Sequence, residues 1–548
     1  MAGNDALKRI VEFGNPRTMK TMHEAGALNI RSPLALARAL PWLVGRGPSL
    51  GILAQMNGYV LGDKPAIHDR SGTLTFSDLD LRSNQAARAF QRLGLTGGDK
   101  LALIARNGRE MIETALGAQK SGLIACPLNT WAKEKELKAT LGSTDPKVLL
   151  YDTAHSEQVE STVPEGTTLL FVGDPTNALP GSLSYEEALD RESSGPIPPF
   201  TRNRGSAQVV IHTSGTTGTP KGAARDSSAA GLGALTNLLS VVPYRRDDVV
   251  LCPAPLFHSF GLATFTFATA LGATLVLPEK FDPEESLALI DRHRATAASF
   301  VPVMLRRIAR LPNEDKKGYD LSSLRVVLAS GSALTTELRR ASIELFGPVL
   351  YDLYGSTEAG WVAIATPDDI ENKPQSVGKP VPGIELKILS PEGEELPPGE
   401  TGEVFVKSEV LFAGYTAGEE PKTFGSYMSI GDLGRMDEDD YLFIEGRADD
   451  MVVVGGENIY PIEVEEVIES VAGVNEVTVL GIDDDEYGKV LVAFFEGSAD
   501  PSEIESRCKK DLASYKVPRK FIHLDDLPRT STGKVIKREL VAQLEDSD

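Results

Sequence analysis

The stretch Thr213-Ser-Gly-Thr-Thr-Gly-Thr-Pro-Lys-Gly222 is the most informative part of the sequence. It follows the apolar run Gln208-Val-Val-Ile211, which is typical of a β-strand, and its ten residues include five hydroxyl side chains, three glycines and one lysine. Glycine lets backbone amides approach an anion, hydroxyl groups donate hydrogen bonds to its oxygens, and lysine supplies a mobile positive charge. The pattern predicts a strand that leads into a phosphate-binding loop.

The Walker A loop, Gly-x-x-x-x-Gly-Lys-Ser/Thr, does not match this stretch. Pro220 precedes the lysine, and Gly222 stands where the magnesium-binding hydroxyl should be. The stretch instead resembles the phosphate loop of the adenylate-forming superfamily, which contains acyl- and aryl-CoA synthetases, luciferases and the adenylation domains of peptide synthetases. By this resemblance, the residues that contact ATP are Thr213, Ser214, Gly215, Thr216, Thr217, Gly218 and Lys221. Asp226 and Ser227 replace the family's usual Thr-His at the start of the expected following helix.

A second motif, Tyr354-Gly-Ser-Thr-Glu358, ends an apolar strand. A carboxylate in such a turn lies at the carboxyl edge of the sheet, where ligands of open α/β folds bind. Magnesium prefers oxygen ligands and bridges nucleotide phosphates. The resemblance implies that Glu358 and Thr213 bind Mg²⁺, that Thr357 contacts the α-phosphate or the substrate carboxylate, and that Tyr354 stacks on adenine, next to Gly355.

The turn Ser330-Gly-Ser-Ala-Leu334 has small residues against which a flat ring can lie. It resembles the family segment that forms a wall of the adenine and acyl pockets, which implicates Gly331, Ser332 and Ala333. Gly431-Asp-Leu-Gly434 resembles the family's Thr-Gly-Asp motif, in which the aspartate, here Asp432, accepts hydrogen bonds from the ribose hydroxyls. Ile430 replaces the usual threonine.

Three motifs near the C-terminus complete the resemblance. Gly446-Arg-Ala-Asp449 is similar to the family's hinge, with Arg447 on the nucleotide and Asp449 as the residue about which the C-terminal domain swings. Gly455-Gly-Glu-Asn-Ile-Tyr-Pro461 is similar to the loop that lines the pantetheine tunnel during thioester formation, through Gly455 and Gly456. Pro528-Arg-Thr-Ser-Thr-Gly-Lys534 makes Lys534 the lysine that reaches the carboxylate and α-phosphate during adenylation.

The order of strand-like and helix-like segments predicts an α/β protein. Strands alternate with helices over residues 66–151 and again over 229–354, which indicates two doubly wound sheets. From residue 377 short strands and turns favour a small antiparallel β-barrel, and the last hundred residues favour an α+β module. We expect an N-terminal AMP-binding domain of residues 1–446 and a mobile C-terminal domain of residues 447–548, with the hinge near 449.

Composition limits the function further. A net charge of −22 and a pI near 4.9 argue against nucleic-acid binding, which needs a basic surface. The three cysteines suggest neither a disulfide framework nor a zinc site, and with no signal peptide or membrane-length apolar run, we expect a cytoplasmic protein. The apolar residues 33–56 are interpreted as an arm packed on the body or a peripheral membrane contact. Whether the chain forms a homodimer is left open.

The segment Pro255-Leu-Phe-His-Ser-Phe-Gly261 favours acyl or aryl acids, because amino-acid-activating relatives usually have an aspartate in this region. The resemblance places His258 at the acyl pocket beside the thiol entrance, in a pocket formed by His258, Phe260, Val301, Gly331 and Gly355, with Trp361 a weaker candidate. It implies ATP, Mg²⁺ and CoA as cofactors. Within the family, the chain is most like a bacterial fatty acyl-CoA synthetase.

The apolar N-terminal segment favours a medium- or long-chain fatty acid over an aryl or cinnamate-type acid. Steroid-type side chains stay open. More remote alternatives are a luciferase-like oxygenase, a carrier-protein acyl-AMP ligase and an inactive nucleotide-binding regulator.

Overall fold

The computed structural model describes residues 16–26, 49–197, 208–213, 221–226, 230–356, 359–408, 422–448, 450–454, 457–484, 488–530 and 534–545. Its helices are α1 Pro16–Glu24, α2 Leu50–Leu61, α3 Phe76–Arg92, α4 Arg109–Ser121, α5 Glu134–Thr144, α6 Ser156–Glu160, α7 Tyr185–Asp190, α8 Ala230–Leu239, α9 Ser259–Leu271, α10 Pro283–His293, α11 Pro302–Ala309, α12 Asn313–Lys317, α13 Thr336–Phe346, α14 Pro367–Asn372, α15 Pro461–Glu469, α16 Pro501–Asp511 and α17 Lys537–Glu545.

The strands are β1 Pro65–Asp69, β2 Gly72–Thr75, β3 Lys100–Ile104, β4 Ile124–Pro127, β5 Val148–Asp152, β6 Thr168–Val172, β7 Leu183–Ser184, β8 Gln208–Thr213, β9 Lys221–Asp226, β10 Val249–Leu251, β11 Thr274–Val276, β12 Ala297–Phe300, β13 Val326–Ala329, β14 Leu350–Ser356, β15 Gly360–Ala365, β16 Lys379–Pro380, β17 Glu385–Leu389, β18 Gly402–Lys407, β19 Thr423–Phe424, β20 Tyr427–Met436, β21 Leu442–Arg447, β22 Val452–Val454, β23 Glu457–Ile459, β24 Val474–Asp484, β25 Gly488–Gly497 and β26 Lys520–His523.

The first large sheet has seven strands in the order β7-β6-β5-β3-β4-β8-β9. Its strands run parallel except for β9, which returns antiparallel to β8. The interior strands β3 and β5 are almost wholly buried and read as continuous apolar runs, as expected where helices cover both faces. β6 and β7 are additions to the predicted strands.

The second large sheet has nine strands in the order β16-β15-β14-β13-β12-β10-β11-β1-β2. The prediction that β1 and β2 belong to the first sheet is wrong. β1 pairs in parallel with β11, and Ile67 lies opposite Leu275 with both side chains buried. The chain thus contributes β1 and β2 to the second sheet, then forms the whole first sheet with β3 to β9, and then completes the second sheet with β10 to β16. Local alternation could not reveal this, because strand order depends on pairing between segments more than 200 residues apart.

The N-terminal region packs on the body where the structure describes it. Ser49 caps α2, whose residues Leu50, Ile52 and Ala54 are buried, and α2 packs against α3, α4 and α9. Residues 33–48 of the predicted arm lie outside the described residues. Within the described residues, no helix combines the length and the hydropathy needed to span a membrane.

The rest of the chain forms smaller sheets. Where a small antiparallel β-barrel was predicted, β17 to β21 make a five-stranded antiparallel sheet in the order β17-β18-β20-β19, with β21 also paired to β20. This sheet packs on β15 of the second large sheet. We call residues up to 448 the large unit and residues 450–545 the small unit. The small unit has a three-stranded sheet, β24-β25-β26, and a hairpin, β22-β23, covered by α15, α16 and α17. The predicted α/β fold with a smaller α+β C-terminal domain is confirmed.

Candidate active site

The phosphate-loop stretch is the connection of a β-hairpin. β8 and β9 pair in antiparallel register, and Thr213 lies opposite Lys221 at the end of the hairpin from which the connection leaves. The intervening residues lie outside the described part of the chain, and with them the proposed contacts of Ser214, Gly215, Thr216, Thr217 and Gly218. The expectation that Asp226 lies at a helix start is wrong: Asp226 ends β9, opposite Gln208. Pairing with β8 outweighs the low strand propensity of Gly222, Ala223 and Ala224.

Tyr354 and Gly355 lie near the end of β14, close to its hairpin with β15. Gly355 pairs with Trp361 beside a bulge, and a Cβ atom there would lie 1.9 Å from the carbonyl oxygen of Gly360. Only glycine fits such a close backbone approach. Thr357 and Glu358, in the turn, lie outside the described residues; Ala359, which follows, donates its N–H to Ser356 Oγ at 3.0 Å.

Tyr354, Asp432 and Arg447 meet at the junction of three strands. The hydroxyl of Tyr354 donates to one carboxylate oxygen of Asp432, and Nη1 of Arg447 lies 3.4 Å from the other. Asp432 on β20 and Arg447 on β21 are cross-strand partners, which explains why residues fifteen apart in sequence face the same point. Burial, followed by the negative charge of Asp432, raises the pKa of Tyr354, which therefore stays protonated as a donor.

The turn after β13 presents small residues to solvent. Gly331, Ser332 and Ala333 are exposed, and Gly331 has a φ of +106°, which side-chain-bearing residues rarely adopt. Ser330 anchors the turn by donating its hydroxyl to the carbonyl oxygen of Leu353 at 2.8 Å. A Cβ atom on Gly331 would lie 3.3 Å from Val301, so these two predicted pocket residues are neighbours.

His258 caps the N-terminal end of α9 and is partly buried. Its ring lies 4.3 Å from that of buried Phe257, which in turn makes an edge contact with Trp131 at 5.7 Å. Burial, and secondarily the positive charge of Lys534, lower the pKa of His258 to about 4. Trp131 was not predicted, although a tryptophan four residues beyond the end of β4, at the carboxyl edge of a parallel sheet, is a usable signal.

Lys534 reaches this site from the small unit. Its backbone N–H donates to Oγ1 of Thr530, and its carbonyl oxygen accepts from the N–H of Thr530 at 2.7 Å. Its ammonium group is exposed, yet close enough to His258 to lower that residue's pKa. The structure therefore brings two predicted catalytic residues, 276 positions apart in sequence, into one electrostatic environment.

Of the remaining predicted residues, some lie in apolar surroundings and others lie outside the described part of the chain. Phe260 and Trp361 are partly buried, and Phe260 packs against both apolar clusters that cover the second sheet. Asp449, Gly455 and Gly456 lie outside the described residues. All three cysteines are buried and unpaired, and burial raises the pKa of Cys126 and of Cys252 to about 12, consistent with inert core residues.

For Mg²⁺, the proposed donors are a carboxylate and a hydroxyl oxygen, the chemistry that this ion prefers. Glu358 and the side chain of Thr213 are not among the described parts. Elsewhere in the described chain, no group of three His, Cys, Asp or Glu residues could hold a metal ion. The carboxylate of Glu358 and the hydroxyl of Thr213 are oxygen donors, which are the donor types that suit Mg²⁺.

Comparison with known proteins identifies the class. The AMP-binding enzyme model matches residues 55–416, and the model for the C-terminal domain of AMP-binding enzymes matches residues 463–534. The chain therefore belongs to the AMP-binding enzyme family, within the adenylate-forming superfamily. It is an enzyme of the acid–thiol ligase class that uses ATP and CoA.

Individual relatives cover most of the chain. It is 31% identical to an indoleacetate–CoA ligase of Aromatoleum aromaticum, over 88% of this chain and 96% of the relative. It is 28% identical to the long-chain-fatty-acid–CoA ligase FadD13 of Mycobacterium tuberculosis, over 86% and 93%. A crystal structure of the anthranilate CoA ligase AuaEII with anthranoyl-AMP superposes with a TM-score of 0.83 at 27% identity, covering 91% of this chain and 98% of the other. The acids named differ, so these likenesses do not select one.

Proposed function

We propose that the chain converts a medium- or long-chain fatty acid into its acyl-CoA in two steps. A carboxylate oxygen attacks the α-phosphorus of ATP and pyrophosphate leaves, giving acyl-AMP. The sulfur of CoA then attacks the acyl carbonyl carbon, the thiol proton is lost and AMP leaves. In such chemistry the protein mainly positions the reactants and stabilises charge.

The geometry supports specific roles for the described residues. Asp432 has its carboxylate held by Tyr354 and Arg447, which suits a fixed acceptor for two ribose hydroxyls. The exposed turn at Gly331 leaves a flat surface for a ring. Lys534, beside His258, supplies the positive charge that the carboxylate and the α-phosphate need as they approach. Bound Mg²⁺ would neutralise phosphate charge through Glu358 and Thr213.

One observation favours a fatty acid. A small apolar cavity of about 20 Å³ lies among residues that neighbour His258 in sequence: Leu256 precedes His258 by two positions, and Leu262 and Phe265 follow it on α9. The cavity is lined by Leu103, Met111, Ile112, Ala115, Ala125, Pro127, Val209, Leu256, Leu262 and Phe265. Every lining side chain is apolar, and burying one methylene group is worth about 0.8 kcal/mol. Such a lining favours an apolar substituent of the acid over a polar one, and the lining side chains must move apart to admit a chain.

An aryl acid is the second candidate, because the relatives that resemble this chain include indoleacetate– and anthranilate–CoA ligases.

The test is pyrophosphate release with ATP, magnesium and acids of C4 to C18, benzoate, cinnamate and a steroid side-chain acid, each with and without CoA. We expect one chain-length class to dominate, and CoA to convert slow single-turnover release into steady release. Dominance of benzoate or cinnamate would favour the aryl alternative, and release unaffected by CoA would contradict CoA as the acceptor.

The cavity can be tested in the same assay. Ala115→Leu fills it from α4, so we expect the preferred chain to shorten while the use of butyrate, the shortest acid of the series, changes least. An unchanged chain-length profile would remove the cavity from the argument.

A further inference from the structure

A cluster of charged residues joins the large unit to the small unit. Its members are Arg306, Arg310, Glu469, Glu476, Glu496 and Arg529. Arg306, on α11 of the large unit, places Nη1 2.6 Å from Glu476 and Nη2 3.4 Å from Glu469. Arg310, just after α11, lies 3.6 Å from Glu496. Two arginines at and just after α11 of the large unit thus form ion pairs with three carboxylates of the small unit.

Glu476 is shared between the two units. Arg529 of the small unit donates to both of its oxygens, at 2.7 and 2.6 Å, and also to Glu496 at 2.9 Å. The side chains of Arg306 and Glu476 are only 13% and 12% exposed. Burial alone would raise the pKa of Glu476, but the hydrogen bonds and charges of Arg529 and Arg306 lower it, so this carboxylate stays ionised. Bidentate, partly desolvated pairs of this kind fix geometry far better than surface pairs.

Arg529 belongs to the same hairpin as Lys534. Arg529 and Val535 form an antiparallel bridge, and the N–H of Ile536 donates to the carbonyl oxygen of Pro528 at 2.7 Å. The Thr530–Lys534 hydrogen bonds described above close the same turn. Contacts that fix the position of the Arg529 guanidinium group therefore also fix the position of the Lys534 backbone, because both residues belong to this hairpin.

We propose that Arg306 is a positioning residue for the first half-reaction: through Glu476 and Arg529 it holds the Lys534 hairpin at the active site. The inference rests on the proposed function, in which Lys534 serves acid activation. The small-unit members of the cluster carry a net charge of minus two, which the two arginines of the large unit balance. Removing one partner leaves a charge partly buried and uncompensated, which disfavours the docked arrangement. Thioester formation, which does not use Lys534, is then independent of Arg306.

The test compares Arg306→Gln with Arg307→Gln. Arg307 is the next residue on α11, but it is exposed and stacks on Phe281, outside the cluster. Two rates are measured: acid-dependent exchange of pyrophosphate into ATP, and acyl-CoA formation from CoA and a supplied acyl-adenylate. We expect Arg306→Gln to lower exchange at least about tenfold, towards the loss of about 10²–10³ expected for Lys534→Ala, and to leave acyl-CoA formation within about twofold. Arg307→Gln should change neither.

Exchange by Arg306→Gln within about twofold of wild type would overturn the proposal, and so would equal losses in both half-reactions. Arg306→Lys keeps the charge and should recover part of the lost exchange; no recovery would also count against the charge cluster.

A second measurement does not depend on the substrate. Spin labels at Glu314→Cys and Lys509→Cys, both exposed and one in each unit, report the distance between the units, and the three native cysteines are buried. Arg306→Gln should broaden the distance distribution of the ligand-free protein, and an unchanged distribution would overturn the proposal. If the wild type exchanged pyrophosphate with none of the acids while Arg306→Gln still broadened the distance distribution, the proposed function would be contradicted and the docking role would stand.

Discussion

His258 has a neutral imidazole at physiological pH because burial and then the charge of Lys534 lower its pKa from 6.5 to about 4. Since the unfolded chain binds a proton on this residue more readily than the folded chain, His258 lowers the free energy of unfolding as pH falls from 6.5 towards 4. A neutral ring adds no second positive charge to the environment of Lys534. It can also accept a proton.

The NMR signal of His258 is assigned as the histidine signal that disappears in His258→Gln. We predict that this signal does not titrate above about pH 5.5 in the wild type. Lys534→Ala should raise the pKa of His258, but not to 6.5, because burial is the larger cause. The measurement is an NMR titration of ¹³C-histidine-labelled protein, in which the other six histidines serve as internal references. A midpoint near 6.5 in wild type, or no change in Lys534→Ala, would contradict the assignment of these causes.

The hairpin of β14 and β15 shows how one element positions the site. Its register brings Gly355 so close to Gly360 that no side chain fits, and this places Tyr354 against Asp432 on another strand. The motif at residues 354–358 was predicted from sequence, but this backbone contact was not, because it depends on a bulge between Tyr354 and Gly355.

We expect Gly355→Ala to destabilise the protein by about 1–3 kcal/mol, because the new methyl group meets a backbone oxygen that cannot move without breaking the ladder. Activity in pyrophosphate release should fall with it. Gly142→Ala, on α5, is the control: a Cβ there has nothing within 4 Å, and alanine favours the helix by roughly 1 kcal/mol. Thermal unfolding followed by circular dichroism distinguishes the two, and equal midpoints would contradict the close-contact argument.

Over the whole molecule, the apolar cores separate cleanly between the units. The two clusters of the small unit draw only on residues 452–544, with Val479, Phe495 and Ile504 fully buried in one and Leu540 in the other. The contacts between the units include the ion pairs of Arg306 and Arg310 with Glu469, Glu476 and Glu496. A unit that buries its own core needs no partner to fold, whereas ionic contacts suit surfaces that separate and meet again.

A fragment of residues 447–548 should therefore fold alone. We expect cooperative thermal unfolding and dispersed amide signals in a two-dimensional NMR spectrum, because no large-unit side chain contributes to its clusters. The matching outcome for the intact chain is a separate unfolding transition for this unit. A fragment without cooperative unfolding would contradict the predicted domain boundary near residue 446.

The sequence by itself determined the family, the α/β class and the alternation of strands with helices. The strand Lys100–Ile104 and the helix Arg109–Ser121 lie within the predicted alternation over residues 66–151, because a buried run and an amphipathic repeat are local signals. It also determined the candidate site motifs, because the residues of each motif are close together in the sequence and their types and spacing can be recognised directly. Their roles stay predictions, and several of them lie outside the described residues.

Only the tertiary structure decided which distant segments meet. It placed β1 and β2 in the second sheet, turned Lys221–Asp226 into a strand, put Lys534 beside His258, and assembled the charge cluster of Arg306 and Glu476. The physical reason is that these outcomes depend on pairing and on electrostatic contact between segments tens to hundreds of residues apart. Such contacts gain free energy only once the fold has brought the segments together, and they leave no periodic pattern in the sequence.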